Sequence, residues 1–204
     1  MVVKFTNFVF RSSLSPGHGR ICCLSDIADK ARKGWHWHDV RLLEHRPRSL
    51  VLKRYFITLI IFPSGKLRVM GPQLETVKKA KHFLKKHLLG KLMAKSHSRL
   101  TLSEVRVQTI SATYDFGVQI NLQQLCQYIS SQPAPWIDGP DKLMPAWRNY
   151  YSAEIFPALA LKLLGSSLHA NIFASGKCVI TGIKYKEDVY LLLHKICKYL
   201  KCYK

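Results

Sequence analysis

Apolar and polar residues alternate with a period of two in several short stretches of the chain and recur near every 3.6 residues in others, which separates strands from helices. The clearest strand pattern occurs twice. Ile61-Phe62-Pro63-Ser64-Gly65-Lys66-Leu67-Arg68-Val69-Met70-Gly71 matches Ile172-Phe173-Ala174-Ser175-Gly176-Lys177-Cys178-Val179-Ile180-Thr181-Gly182 at an offset of 111 residues. Each copy reads as strand, tight Ser-Gly turn, strand, a β-hairpin whose glycine supplies the backbone freedom of the turn. Helical spacing follows each copy, in Leu74, Val77, Phe83, Leu84, Leu88 and Leu92 and again in Val189, Leu192, Leu193, Ile196 and Leu200. Upstream, 2–11 and 105–115 read as strands, 24–33 and 121–131 as short helices N-capped by Ser25 and Asn121, and 49–54 and 155–163 as further strands. Each half therefore reads β-α-β-β-β-β-α. The chain is expected to be an α+β tandem duplication, with domains 1–100 and 101–204 joined near 96–104. The stretch 132–150, rich in Pro, Trp and Asp and without a period, is expected to be an inserted loop.

Alternation also divides the two faces of each hairpin. Ile57, Leu59, Ile61, Leu67 and Val69 share a face, as do Ile172, Cys178 and Ile180; these are core faces, to be covered by the helices. The opposite faces carry Thr58, Ile60, Phe62, Lys66, Arg68 and Met70, and His169, Asn171, Phe173, Lys177, Val179 and Thr181. No further element is left to cover that second face, yet it keeps large apolar residues, which suggests a binding surface, or a face packed on a partner chain or on the other half.

Charge narrows the ligand. The 204 residues carry 32 Lys and Arg against 12 Asp and Glu, a net +20 that points to a polyanion. It is lopsided: residues 1–102 hold 21 basic and 5 acidic residues, whereas 103–204 hold 11 and 7. Lys78, Lys79, Lys81, Lys85, Lys86, Lys91 and Lys95 line one helix side, readable as a solvated face or as a surface for an acidic partner or flanking DNA. No stretch reaches the roughly 18 apolar residues of a membrane span, so no membrane partner is expected, and the opening MVVKFTNFVFRSS reads as a strand rather than a signal peptide. The six cysteines have no CxxC spacing and are expected to be reduced. His36-Trp37-His38 with Cys22-Cys23 fits no standard zinc spacing. No phosphate-binding loop or nucleophile elbow occurs, and Asp115, Asp138, Asp141 and Glu154 show no acid–base spacing, so neither an enzyme nor a cofactor is expected.

Three motifs in the second half carry a family resemblance. Tyr151-Ser-Ala-Glu154-Ile155-Phe156-Pro157 is similar to the Y-x-x-E-L-F-P stirrup of the TATA-box-binding protein family. Ile172-Phe173-Ala-Ser175-Gly176-Lys177, continued by Val179-Ile-Thr181-Gly182-Ile-Lys184, resembles its I-F-x-S-G-K-x-V-x-T-G-A-K signature, and Gln108-Thr109-Ile110-Ser111 sits where the family has Q-N-I-V. They stand in family order, with Phe156 and Phe173 17 positions apart. The likeness is strong over 105–204 and thinner over 1–95, where Asn7-Phe8-Val9 and the Phe62 hairpin stand out. It implies a saddle fold, one curved antiparallel sheet with helices on the convex face. It also implies binding to the minor groove of AT-rich double-stranded DNA, for which this family is itself the type example of apolar wedges unstacking a base step.

Carried over residue by residue, the resemblance implies DNA contacts at Asn7, Val9, Phe62, Lys66, Arg68, Met70, Thr109, Ser111, Phe156, Lys162, Phe173, Lys177, Val179, Thr181 and Lys184. The inserting pair of the second repeat is Phe156 with Phe173. In the first repeat only Phe62 matches, and its partner position falls near His45 or Arg46. The family's Asn and Val have become Thr109 and Ser111, its hairpin Thr is Met70 in the first repeat, an apolar position there is Arg68, Lys162 stands where Arg is usual, and His169 and Asn171 are polar where aliphatic residues are usual. Such drift resembles a viral version or a distant paralogue. Glu154 and Tyr151 match the stirrup that meets a TFIIB-like factor, so that factor and an RNA polymerase complex are implied partners. The implied state is a monomeric pseudo-dimer, working in a nucleus or at the transcription site of a DNA virus. The alternative is a protein of the same fold that no longer bends DNA and serves as an interaction or polymerase-complex subunit.

Overall fold

A computed structural model describes residues 2–16, 23–45, 47–93, 100–131 and 147–202. The chain divides into two compact units, Asn7–Gln108 on one side and Thr109–Lys204 with Met1–Thr6 on the other.

In the Asn7–Gln108 unit, β1 (Lys4–Pro16, entered from the other unit at its start), α1 (Leu24–Gly34), β2 (Asp39–Leu43), β3 (Ser49–Arg54), β4 (Ile57–Ile61) and β5 (Lys66–Gly71) precede a helix. The strands pair antiparallel in the order β2-β3-β4-β5-β1. Ile57, Leu59, Ile61, Leu67 and Val69 are all buried, as the alternation requires. Leu24, Ile27, Ala28 and Ala31 of α1 are buried, as are Ala80, Phe83, Leu84 and Leu88 of the closing helix, which places both helices over that apolar side. The closing helix is α2 (Val77–Leu84), a π-turn (Lys85–Leu89) and α3 (Gly90–Met93). The π-turn carries His87 to Arg54 of β3, 3.0 Å away. Val77, read as part of the apolar stripe, is 40% exposed, because it opens the helix beyond the reach of the sheet.

The second unit repeats the plan with β7 (Arg106–Asp115), α4 (Leu122–Ser131), β8 (Trp147–Ser152), β9 (Phe156–Leu163), β10 (His169–Phe173), β11 (Lys177–Ile183) and α5 (Glu187–Cys202), its strands in the order β7-β11-β10-β9-β8. Ile172, Cys178 and Ile180 are fully buried beneath Leu125, Val189, Leu193 and Ile196. Gly176 adopts φ 84° in the hairpin turn, where a Cβ would clash with the Val118 carbonyl oxygen. Gly182, at φ 76°, sits at a bulge between β11 and β7.

Three readings are revised. Asn121 caps α4 by accepting from Gln124 N–H at 3.1 Å, but Ser25 does not cap α1. The helix starts earlier, Cys23 holds the N-cap place without a side-chain bond, and the Ser25 hydroxyl lies 2.9 Å from Cys23 Sγ. The junction region contains a strand, β6 (Leu100–Leu102), paired with Leu14, Ser15 and Pro16. Of the stretch 132–150, residues 147–150 belong to β8 rather than to a loop, and 132–146 lie outside the described residues. Cys23, Cys126, Cys178 and Cys197 are free thiols, and burial pushes that of Cys178 up to about 12.

Candidate nucleic-acid interface

Within each unit the strand faces opposite the helices are only partly covered, and cross-strand register fixes what they present. In the Asn7–Gln108 unit one row runs Val9, Met70, Thr58, Lys53, Asp39, and the next runs Arg11, Arg68, Ile60, Val51, Arg41. Asn7, Val9 and Met70 are half-buried and Lys66 and Arg68 exposed. Asp39 binds Arg41 at 2.9 Å and lies 3.7 Å from Lys53. The Arg41 hydrogen bond, above all, holds its carboxyl below the usual carboxylate range. The outer cations of that sheet are thus partly neutralised, whereas Arg11 and Arg68, not named together by the sequence reading, face each other across β1 and β5. Continuing the alternation of β1 two residues past Val9 finds Arg11.

Phe62 is half-buried, and the Arg68 guanidinium lies 5.7 Å from its ring centroid. Beside it opens a cavity of about 870 Å³, lined among others by Arg11, Pro47, Arg48, Lys66 and Arg106. Register corrects the placement of the missing aromatic partner. Leu50 pairs with Ile61 as Leu159 pairs with Ile172, so the counterpart of Phe156 is Pro47, not His45 or Arg46. His45 is exposed in the β2–β3 turn, and Arg46 lies outside the described residues.

In the other unit Phe156 and Phe173 come together edge to face, ring centroids 6.2 Å apart, with Phe156 42% exposed at the start of β9. One row reads Thr113, Val179, Asn171, Ala160, Tyr150, and a second Thr181, His169, Lys162, Arg148. The second row puts three basic side chains side by side next to Thr181, and Arg148 is the member that the motifs did not supply. Thr109, Ser111, Val179 and Thr181 are half-buried. The Ser111 carbonyl accepts from the Thr6 hydroxyl at 3.3 Å. Lys177 and Lys184 are exposed, Lys177 opposite Asp115 in β7 and Lys184 just past β11. The cavity by this hairpin, about 600 Å³, is walled by Val2, Tyr114, Phe173 and Val179, with Lys4 and Lys177 against Asp115 as its charges.

The β8–β9 turn forms a tip. Glu154 is exposed there, Ile155 is 74% exposed, and the Ile155 N–H donates to the Ser152 carbonyl at 3.1 Å, while Tyr151 is half-buried behind it. On the helix side, Lys78, Lys81, Lys85, Lys86 and Lys91 are exposed and Lys79 pairs with Glu75 at 2.7 Å, whereas Lys95 lies outside the described residues. His36 and His38 are exposed around the buried Trp37, and among the described residues no three His, Cys, Asp or Glu side chains gather as a metal site. No helix among them is long and apolar enough to cross a membrane.

Comparison with known proteins finds similar sequences and a similar fold. A sequence profile described as "Transcription factor TFIID (or TATA-binding protein, TBP)" matches residues 143–203. A TATA-box-binding protein of Methanothermococcus thermolithotrophicus is 32% identical over 145 residues, spanning 71% of this chain and 68% of that one. One from Methanocaldococcus jannaschii is 30% identical over the same shares of each chain. The solved structure titled "Methanococcus jannaschii TBP" superposes with a TM-score of 0.66 at 25% identity, covering 98% of both chains, and the α+β antiparallel architecture expected from the sequence is the fold the two share.

Proposed function

Because the chain belongs to the TATA-box-binding protein family, we propose that it is a transcription initiation factor that binds duplex DNA through the minor groove. The observation that carries this is the Phe156–Phe173 pair, 6.2 Å apart on an uncovered strand face, beside the basic row His169, Lys162, Arg148. Two adjoining aromatic rings suit insertion at a base step, and the flanking cations suit the phosphates on either side. Half-buried Thr109, Ser111, Val179 and Thr181 offer the small polar and apolar contacts that the degenerate minor groove accepts. Asn7, Val9 and Met70 make the corresponding contacts from the other unit, Phe62 is its one matching wedge, and Lys66 and Arg68 there, with Lys177 and Lys184 of the unit that holds Phe156, are the cations that meet DNA. No catalytic step is assigned to the chain.

The exposed tip of Glu154 and Ile155, with Tyr151 behind it, receives a TFIIB-like factor, through which an RNA polymerase complex is recruited. The duplicated chain acts as a monomer, in a nucleus or at a DNA virus's site of transcription. A second reading, an interaction subunit that no longer bends DNA, draws on the polar Asn171 and His169 and on the cation beside Phe62.

A mobility-shift titration with AT-rich and GC-rich duplexes, joined to a FRET bend assay, separates the two. The first reading expects preference for the AT-rich duplex, a bent bound state, and loss of that bend in Phe156→Ala/Phe173→Ala. Equal weak binding of both duplexes without bending, indifferent to the double variant, establishes the second.

A further inference from the structure

The two hairpins share a backbone but not a chemistry, and the difference gathers at one corner. Arg11 stands opposite Arg68, and Ser13 opposite Lys66. The matching pairs of the other unit are Thr113 opposite Val179 and Asp115 opposite Lys177. Two neutral positions have become arginines and an aspartate has become a serine, so the corner beside Phe62 is more positive by three charges than its counterpart.

Like charges placed directly across a strand pair are unfavourable. Nothing in the unit relieves this pair: among the described residues, no carboxylate forms an ion pair with Arg11, Arg48, Lys66 or Arg68. Glu104, the acid at the same cavity, is taken by Arg106 at 2.6 Å. The aromatic chemistry has moved the opposite way. Pro47 occupies the register of Phe156, leaving the cavity of about 870 Å³ where a second ring would stand, and the Arg68 guanidinium covers the remaining ring. One corner of the repeat has thus exchanged a wedge for a cluster of unneutralised cations.

We propose that Arg11, Lys66 and Arg68 form a phosphate-binding corner that grips the DNA backbone by charge in place of a second aromatic wedge. This rests on the duplex-binding reading above. The planar guanidinium presents paired N–H donors that match phosphate oxygens, and its stack on Phe62 holds it in place, so less freedom is lost when a phosphate arrives. Binding there draws on counterion release rather than on unstacking a base step.

The test compares two double variants with the parent protein on one FRET-labelled AT-rich duplex, over a salt titration. Arg11→Thr/Arg68→Val installs the residues of the other unit. It is expected to lower the log–log salt slope by about two ions and to keep the FRET change of the bound state. Phe156→Ala/Phe173→Ala is expected to do the reverse, losing the FRET change and keeping the slope. A slope loss of less than about one ion in the arginine variant overturns the phosphate corner even where the parent binds and bends DNA. Absence of any bound state in the parent protein overturns the duplex-binding reading and the corner with it. Circular dichroism confirms that the variants are folded. Should the double variant fail to fold, the single variants Arg11→Gln and Lys66→Gln carry the test, each expected to lower the slope by about one ion.

Discussion

Arg11 and Arg68 face each other on antiparallel strands without an acid between them, so in the absence of DNA they work against the fold. Arg11→Thr relieves this while leaving the Arg68–Phe62 stack in place. The gain is about 0.2–1 kcal/mol from the cross-strand term, or a rise in thermal midpoint of about 1–4 °C for a chain of this size. Differential scanning calorimetry checks it, and a fall in the midpoint would mean that Arg11 stabilises its strand in some other way. Arg68→Val does not give as clean a result, because it also removes a cation–π contact worth about 0.5–1 kcal/mol. The residue scale was only partly legible in the sequence. Arg68 stood out because a repeat 111 residues away carries Val179 at the same place. Arg11 did not, since it lies beyond the part of β1 that matched a motif and its meaning comes from its partner across the sheet. Pro47 was missed for a related reason: the turn that follows β3, Tyr55–Phe56, is shorter than the one that follows β9, so counting back from Phe62 landed on His45 or Arg46, while strand pairing settles the position.

Elements were read more easily than residues, because a hydrophobic period survives substitutions that erase motifs. The paired hairpins and the 3.6-residue stripes placed most strands and both closing helices. What escaped was set by long-range partners. β6 is three residues long and exists by pairing with the end of β1, and the π-turn of the closing helix has no signature beyond the need to seat His87. That turn makes a prediction. Burial, followed by the charges of Arg54, Lys86, His82 and Lys91, lowers the His87 pKa from the ordinary 6.5, consistent with a neutral ring accepting from Arg54. The folded state then binds fewer protons than the unfolded chain just below pH 6.5, so stability falls as the pH drops through that window and levels off below the lowered value. His87→Gln keeps an acceptor for Arg54 but does not titrate. Urea midpoints measured at about pH 7.5 and 5.5 are expected to differ less in His87→Gln than in the parent. An equal loss in both proteins would assign the acid sensitivity to other histidines.

At the scale of the whole molecule, the duplex-binding reading divides the +20 charge into cations that would face DNA and cations that would not, and salt reports the division. The duplex-binding reading and the phosphate corner together engage Arg11, Lys66 and Arg68 from one unit and Arg148, Lys162, Lys177 and Lys184 from the other. Seven phosphate contacts give a log–log salt slope of roughly −6. The exposed lysines of the closing helix, Lys78, Lys81, Lys85, Lys86 and Lys91, lie on the side away from buried Ala80, Phe83, Leu84 and Leu88, and hence away from the strand face that carries the proposed contacts. If they contributed as well, the slope would approach roughly −11. A measured slope near the smaller value therefore leaves that helix as a solvated face or as the seat of an acidic partner, whereas one near the larger means that DNA reaches it too. The free protein should respond to salt in the opposite sense. Screening relieves the self-repulsion of a strongly basic chain, so its thermal midpoint is expected to rise over the same salt range in which its affinity for DNA falls. A midpoint that fell along with the affinity would mean that loss of fold, rather than counterion release, weakens binding.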